Sequence, residues 1–250
     1  MTTENVLVLG ATSGIAKALC QEMGKRGCHF ILAGRDEEEL GKIATDLHIR
    51  YRVNVYVEAF DALHFEEHAV FVDRCVQRFE DGLFGVVLCY GHMVEQGTTE
   101  NDFSAARRTI DINFTSAVSL LNAFANYLAS RRRGYIAAIS SVAGDRGRQS
   151  NYTYGAAKAG LSAYLQGLRN RLYPVGVHVL TVKPGFVDTP MTYGLFSLPS
   201  PLVASPEEVA RDIDKAIRQR KNELYSPWFW WGIMKIIKFI PESIFKRLRL

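Results

Sequence analysis

Short apolar runs alternate with amphipathic, charged stretches along nearly the whole chain, and no other feature limits the possible folds so strongly. The runs are NVLVL (5–9), HFILAG (29–34), VNVYVEAF (53–60), GVVLCY (85–90), YIAAIS (135–140) and VHVLTV (177–182). Their length and composition read as strands, and helical segments separate them, such as Gly14 to about Lys25 and Asp36–Leu47. Repeated β-α units predict a single parallel sheet with helices on both faces, a doubly wound α/β fold. Ser205-Pro206-Glu207-Glu208 predicts the start of the last regular helix, with Ser205 as cap, proline in the first turn and Glu208 closing a capping box.

With 250 residues, 48% hydrophobic and 22% charged, the chain has the core for one such domain and little room for a second. We expect a cofactor-binding catalytic domain over residues 1–226 and a C-terminal extension over 227–250. The start MTTENVLVLG has neither the basic residues nor the cleavage site of a signal peptide. No uncharged apolar run reaches the roughly 18 residues of a membrane span. A cytoplasmic protein is therefore expected. Cys20, Cys28, Cys75 and Cys89 lack CxxC spacing and read as buried thiols; the histidines form no ligand-spaced cluster, so no metal is expected. The net charge is +4, and from residue 221 onward six Lys/Arg face two Asp/Glu, which leaves the body neutral. A neutral body argues against a nucleic-acid partner and gives the basic end a local role.

Gly10-Ala11-Thr12-Ser13-Gly14-Ile15-Ala16 falls between the first strand and the first helix. Glycines there let the backbone approach a pyrophosphate, whose charge meets the helix N-terminal amides. Gly10, Thr12, Ser13, Gly14 and Ile15 are the candidate contacts, although Ala16 stands where a third glycine often does. Arg35 follows the second strand, at the position where a basic side chain pairs with a 2′-phosphate and an acidic one binds ribose hydroxyls. It favours NADP(H) over NAD(H). Against this, Asp36 sits beside it and Ser13 supplies no second positive charge.

Tyr154-Gly155-Ala156-Ala157-Lys158 puts a phenol and an ammonium on one helix face. Ser141 lies 13 residues earlier at a strand end, in Ile139-Ser140-Ser141-Val142-Ala143-Gly144. Asn113, in Asp111-Ile112-Asn113, and the stretch Pro184-Gly185-Phe186-Val187-Asp188-Thr189 complete the set. Together and in this order, over residues 5 to about 226, these motifs resemble the short-chain dehydrogenase/reductase family. The resemblance implies a Rossmann-type domain with a seven-stranded parallel sheet, and hydride transfer between a nicotinamide and a carbonyl or alcohol. By that resemblance Tyr154 exchanges the proton, Ser141 bonds the reacting oxygen, Lys158 holds the nicotinamide ribose and Asn113 keeps a relay water in place. Asp61 and Ala62 match the adenine contact, Val187 and Thr189 the carboxamide contact, and Pro184, Gly185 and Gly91 close approaches to the cofactor. To exchange protons near neutrality, a tyrosine must come down from about 10 at a cost of about 4 kcal/mol. One positive charge at about 4 Å, in an effective dielectric near 20, supplies about that much. Lys158 is expected to do so. One departure stands out: Leu88-Cys89-Tyr90-Gly91 replaces the family's usual Asn-Asn-Ala-Gly turn.

Arg146 and Arg148, between Ser141 and Tyr154, either hold a phosphate at the site mouth or are solvated surface side chains. Met191 and Tyr193 fall in a segment expected to cover the substrate. Glu223-Leu224-Tyr225 is a candidate last strand, followed by SPWFWWGIMKIIKFIP, which holds all three tryptophans. Such a stretch suits either a headgroup boundary, through residues 228–250, or packing on a partner subunit or over the pocket. SSVAGDRGRQSNYTYGAAKAGL, PGFVDTPMT and IPESIFKRL resemble, within the family, reductases of a 2-keto pentose carried on decaprenyl phosphate. That resemblance suggests a lipid-linked keto-sugar as substrate, with free lipophilic ketones as the alternative; a nicotinamide-binding regulator without activity is the reading from a different class. The family also implies a homodimer through the helices bearing Asn113 and Tyr154, or a homotetramer.

Overall fold

The computed structural model describes residues 4–191 and 202–248. The first half follows the expected alternation: β1 (Asn5–Leu9), α1 (Gly14–Gly24), β2 (His29–Gly34), α2 (Glu37–Tyr51), β3 (Val55–Ala59), α3 (His68–Gln77) and β4 (Gly85–Leu88). The chain then forms α4 (Gln96–Asn101) and α5 (Phe103–Ile110), and continues through one wide π-helical turn, Asp111–Thr115, into α6 (Ser116–Arg131). Next come β5 (Tyr135–Ile139), a short 3-10 turn over Val142–Asp145, α7 (Tyr152–Leu172), β6 (His178–Pro184) and the small pair β7 (Phe186–Val187) and β8 (Val203–Ala204). The described chain closes with α8 (Pro206–Arg218), β9 (Glu223–Ser226), α9 (Phe229–Phe239) and α10 (Glu242–Phe245).

Seven strands form one parallel sheet in the order β3-β2-β1-β4-β5-β6-β9. Alternate residues of each central strand serve different layers. Val6 and Val8 of β1 pack with α1 and α8, whereas Leu7 and Leu9 pack with α3, α6 and α7, and all four are fully buried. Burial on both faces explains why these strands read as continuous apolar runs. The serine half of the predicted capping box forms: Ser205 accepts from the Glu208 amide at 3.1 Å with Pro206 in the first turn. The four cysteines are free, buried thiols.

Strand order reverses between β1 and β4, and Leu9 pairs with Leu88 at their ends. The glycine turn and Cys89-Tyr90-Gly91 therefore emerge side by side, in the crevice where this class of sheet takes its ligands. Gly10, at φ +77°, is required there: a Cβ would lie 2.7 Å from the Tyr90 amide nitrogen.

The C-terminal extension is not a separate appendage. Trp230 and Met234, one turn apart on α9, are buried against Val142 with Phe186 and Tyr225 beside them. Arg146 donates to the carbonyls of Ile237 (2.6 Å), Lys238 (3.2 Å) and Ile240 (2.6 Å), which satisfies the orphan acceptors at the end of α9 and opposes its dipole. The same guanidinium pairs with Glu242 at 2.9 Å and stacks 3.7 Å from the Phe245 ring.

Candidate active site

A cavity of about 340 Å³ opens at the reversal point, lined by the glycine turn, Gly91, Ser141, Tyr154, Lys158 and the Pro184–Met191 stretch. Thr12, Ser13, Gly14 and Ile15 form its floor at the N-terminus of α1, where Ser13 accepts from the Ala16 amide at 3.2 Å. Ala16 itself is fully buried, so the absent third glycine leaves the approach to the turn intact.

Two glycines fix the distance between Ser141 and the helix that carries Tyr154 and Lys158. A Cβ on Gly144 would lie 2.7 Å from the Ala159 amide, and one on Gly155 would lie 3.0 Å from the Ala143 carbonyl. The 3-10 turn thus sits directly on α7. Ser140, which the sequence reading overlooked beside its neighbour, locks the same contact: its hydroxyl donates to the Lys158 carbonyl at 2.9 Å and meets Ser162 at 2.7 Å. Lys158 is 2% exposed, donates to the Ile139 carbonyl at 2.9 Å and sits 5.7 Å from the Tyr154 ring centroid.

The electrostatics differ from the expectation that Lys158 pulls Tyr154 toward neutrality. Burial dominates both groups. It pushes the Tyr154 phenol up to about 12, against a smaller downward pull from the Ser141 hydroxyl. It also lowers Lys158 to about 8, with Cys89 pulling the other way. Tyr154 is half-buried and lines the cavity. Desolvation disfavours the charged form of each. The arrangement holds a protonated phenol beside an ammonium that can be discharged.

Asn113 lies in the wide turn between α5 and α6, a feature frequent at functional sites and invisible to simple helix periodicity. Its amide nitrogen donates to the carbonyls of His92 (2.6 Å) and Thr109 (2.8 Å), and its oxygen accepts from the His92 amide at 3.2 Å. The side chain thereby ties the Gly91-His92 turn to the helix. The Tyr90 departure has an equivalent anchor, because its hydroxyl meets Ser116 at 2.8 Å. A Cβ on Gly91 would lie 3.1 Å from the Asn113 oxygen and 3.5 Å from the Lys158 nitrogen, so only glycine keeps that space open.

Arg35 is exposed at the end of β2 and forms no ion pair among the described residues. Asp36 is turned to other work, since its carboxylate accepts from the Glu39 amide at 3.0 Å and caps α2. At the end of β3 the Asp61 carboxylate accepts from the Leu63 amide at 2.9 Å, and Ala62 is 9% exposed. These three lie outside the cavity lining, at strand ends beyond the glycine turn.

The two candidate substrate arginines part company. Arg146 belongs to the α9 clamp, and the expectation that it meets substrate fails because its guanidinium is spent on the extension. Arg148 lines the cavity, as does Met191; Tyr193 lies outside the described residues. Behind the Pro184-Gly185 turn stands Trp230: a Cβ on Gly185 would come within 1.9 Å of its indole nitrogen. Trp230 also meets Phe186 edge-on at 5.1 Å. Sequence alone marked Trp230 as unusual but gave no reason to place it against the site.

The short chain dehydrogenase family model matches residues 4–197. An uncharacterized oxidoreductase of Mycobacterium tuberculosis is 32% identical over 244 residues, 97% of this chain and 96% of that one. Among solved structures, a short-chain dehydrogenase from Sphingobium yanoikuyae in complex with NADPH superposes with a TM-score of 0.83 at 23% identity, covering 96% of this chain and 97% of that one. A 3-oxoacyl-[acyl-carrier protein] reductase with bound NAD from Brucella melitensis superposes with a TM-score of 0.77 at 21% identity, covering 89% and 88%. Fold, motif order and relatives agree, and the chain belongs to the short-chain dehydrogenase family of oxidoreductases.

Proposed function

We propose that this protein is an NADP(H)-dependent ketoreductase, acting on a keto-sugar carried by a membrane lipid. The observation that carries this reading is the gathering of Ser141, Tyr154 and Lys158 around one cavity at the reversal point of the sheet, with the Tyr154 phenol in its protonated form at neutral pH. A proton donor needs that form. When bound, the nicotinamide supplies the hydride to the carbonyl carbon. Tyr154 then gives its proton to the carbonyl oxygen, which is far more basic as an alkoxide than a phenolate at about 12. Ser141 donates a hydrogen bond to the same oxygen as negative charge develops there. The Lys158 ammonium stabilises the phenolate left behind and is placed to hold ribose hydroxyls. Asn113 positions the Gly91 turn and keeps one oxygen lone pair for a relay water. The test is carbonyl-dependent oxidation of NADPH by the full chain. Tight cofactor binding with no turnover across a panel of lipid-linked and free ketones would favour a regulatory role instead.

NADP(H) is preferred in this reading because Arg35 is exposed and unpaired while Asp36 is committed to α2. Relatives of the same fold hold NADPH and NAD, so the fold itself is neutral on the choice. Arg35→Ala should raise the KM for NADPH at least tenfold, about 1.4 kcal/mol, and leave that for NADH nearly unchanged. Equal effects on both would remove the phosphate role.

Support for the lipid surface comes from the outer face of the extension. Trp228 (81% exposed), Trp231, Ile236, Phe239 (83% exposed) and Ile244 lie outward, with Lys235 stacked 3.8 Å over Trp231. Aromatic rings with lysines among them suit an anionic headgroup layer. No helix among the described residues is long and apolar enough to cross a membrane. Trp231→Ser with Phe239→Ser should reduce co-sedimentation with anionic vesicles at least fivefold, roughly 1 kcal/mol, while leaving the fold intact. Unchanged co-sedimentation would move the outer face to a protein partner. Removing everything after Ser226 is a poorer test, since it also strips Trp230 from the site wall. The apolar wall of the cavity, with Met93, Val142 and Phe186, supports free lipophilic ketones as the second reading. Assembly as a homodimer through α6 and α7 completes the proposal.

A further inference from the structure

Arg148 is the one cation of the 142–151 segment without an occupation. Its neighbours on that segment are committed: Asp145 accepts from Lys183 at 2.9 Å and from the Tyr225 hydroxyl at 2.6 Å, and Arg146 clamps α9. The Arg148 guanidinium has no ion pair or side-chain hydrogen bond among the described residues, and its Nε is buried without a partner. It lines the cavity beside Ser141 and Tyr154. Burial works against its charge, with only Asp145 pulling back, yet arginine stays ionised in proteins. Arg148 is only partly buried, but its Nε is out of water with no partner, and a ligand that supplies the partner relieves that cost.

A second, independent vacancy lies on the same wall. Asn151 stands at the N-cap position of α7 but does not cap it. The Gln96 side chain from α4 takes that role, accepting from the Thr153 amide at 3.1 Å. Asn151 is left lining the cavity with its Oδ1 buried and unpartnered. Asparagine commonly caps helices, so its release here leaves a side-chain amide uncommitted on a residue that lines the cavity.

We infer that the substrate carries an oxyanion group taken by Arg148, together with a hydroxyl taken by Asn151, so that this wall selects a hydroxylated ketone bearing a phosphate, phosphodiester or carboxylate. A guanidinium fork binds any of these oxyanions in bidentate fashion. A hydroxyl suits the Asn151 amide because it can both give and accept a hydrogen bond. The inference rests on the ketoreductase reading for the word ketone, and not for the oxyanion site itself.

Calorimetric titration of the full chain, saturated with NADPH so that any cofactor phosphate site is filled, tests it without requiring turnover. The probes are dimethyl phosphate, inorganic phosphate and acetate, which stand for a phosphodiester, a phosphate monoester and a carboxylate. The tightest of the three names the source. Arg148→Gln should weaken that probe at least tenfold, Arg148→Lys should retain part of the affinity, and Arg50→Gln, on the remote exposed face of α2, should change nothing. Probe binding should also survive Tyr154→Phe. A failure of the reductase reading would then leave the oxyanion site standing. Where turnover is found, Arg148→Gln should raise KM for a phosphorylated ketopentose and spare kcat, with its unphosphorylated counterpart unaffected. Equal probe affinity in the parent chain and Arg148→Gln, or no binding of any probe, overturns the inference.

Discussion

Tyr154→Phe should cut carbonyl reduction by roughly 10²–10⁴-fold while leaving NADPH affinity and thermal stability close to the parent values. Phenylalanine keeps the ring that packs beside Lys158 and removes only a hydroxyl, so packing is preserved. The hydroxyl lies at the cavity with Ser141, and its loss removes the proposed proton donor. The pH profile of the parent enzyme gives a second reading of the site. Tyr154 stays protonated up to about pH 12, whereas Lys158, lowered to about 8, loses its ammonium as pH rises through that value. Reductive kcat/KM should therefore fall on the alkaline side near pH 8. A profile flat to pH 10 would show that the Lys158 charge is not needed, and a Tyr154→Phe variant within tenfold of the parent would show that the proton comes from elsewhere.

The second large effect concerns stability. Trp230→Ala should destabilise the protein by about 3–5 kcal/mol, because a large buried ring leaves a cavity between the Pro184-Gly185 turn and the 3-10 turn. For a chain of this size that corresponds to a fall in melting temperature of roughly 6–20 °C. Cofactor affinity should drop with it, since Gly185 and Phe186 lose the surface they rest on. Gly185→Ala provides the partner experiment. In the parent chain its new Cβ collides with the indole at 1.9 Å and should destabilise strongly. In the Trp230→Ala background the same substitution should be close to neutral. Additive effects of the two, measured by denaturant unfolding, would mean that the indole and the glycine turn are not in contact.

These effects show why the extension was hard to read from its residues. Its composition pointed outward, to a surface address, and the exposed Trp228, Trp231 and Phe239 fit that reading. Yet Trp230 and Met234 of the same helix form part of the site wall, and Arg146, placed near the substrate by its position beside Ser141, turns out to cap the helix. Arg146 and Arg148 follow the 3-10 turn, with extended backbone at Arg146, and two residues apart they have separate surroundings, the α9 end for one and the cavity for the other. Asn151 was similarly hidden: only contact with Gln96, from a distant helix, shows that its capping role has been taken.

The sequence by itself determined the sheet, its parallel sense, the serine cap at Ser205 and the glycine turn, each written in local terms as apolar period or turn chemistry. Ser141, Tyr154, Lys158 and Asn113, which lie on separate elements, were singled out together only by their resemblance to a family pattern. Tertiary structure alone decided the charge states and the commitments of side chains. Burial, which depends on what every other segment covers, raises Tyr154 and lowers Lys158, opposite to the expected tuning of the phenol. Partner choice likewise depends on long-range contacts, such as the glycine approaches of α7 and the clamp on α9. Desolvation and long-range contact are properties of the packed chain, and no short stretch of residues encodes them.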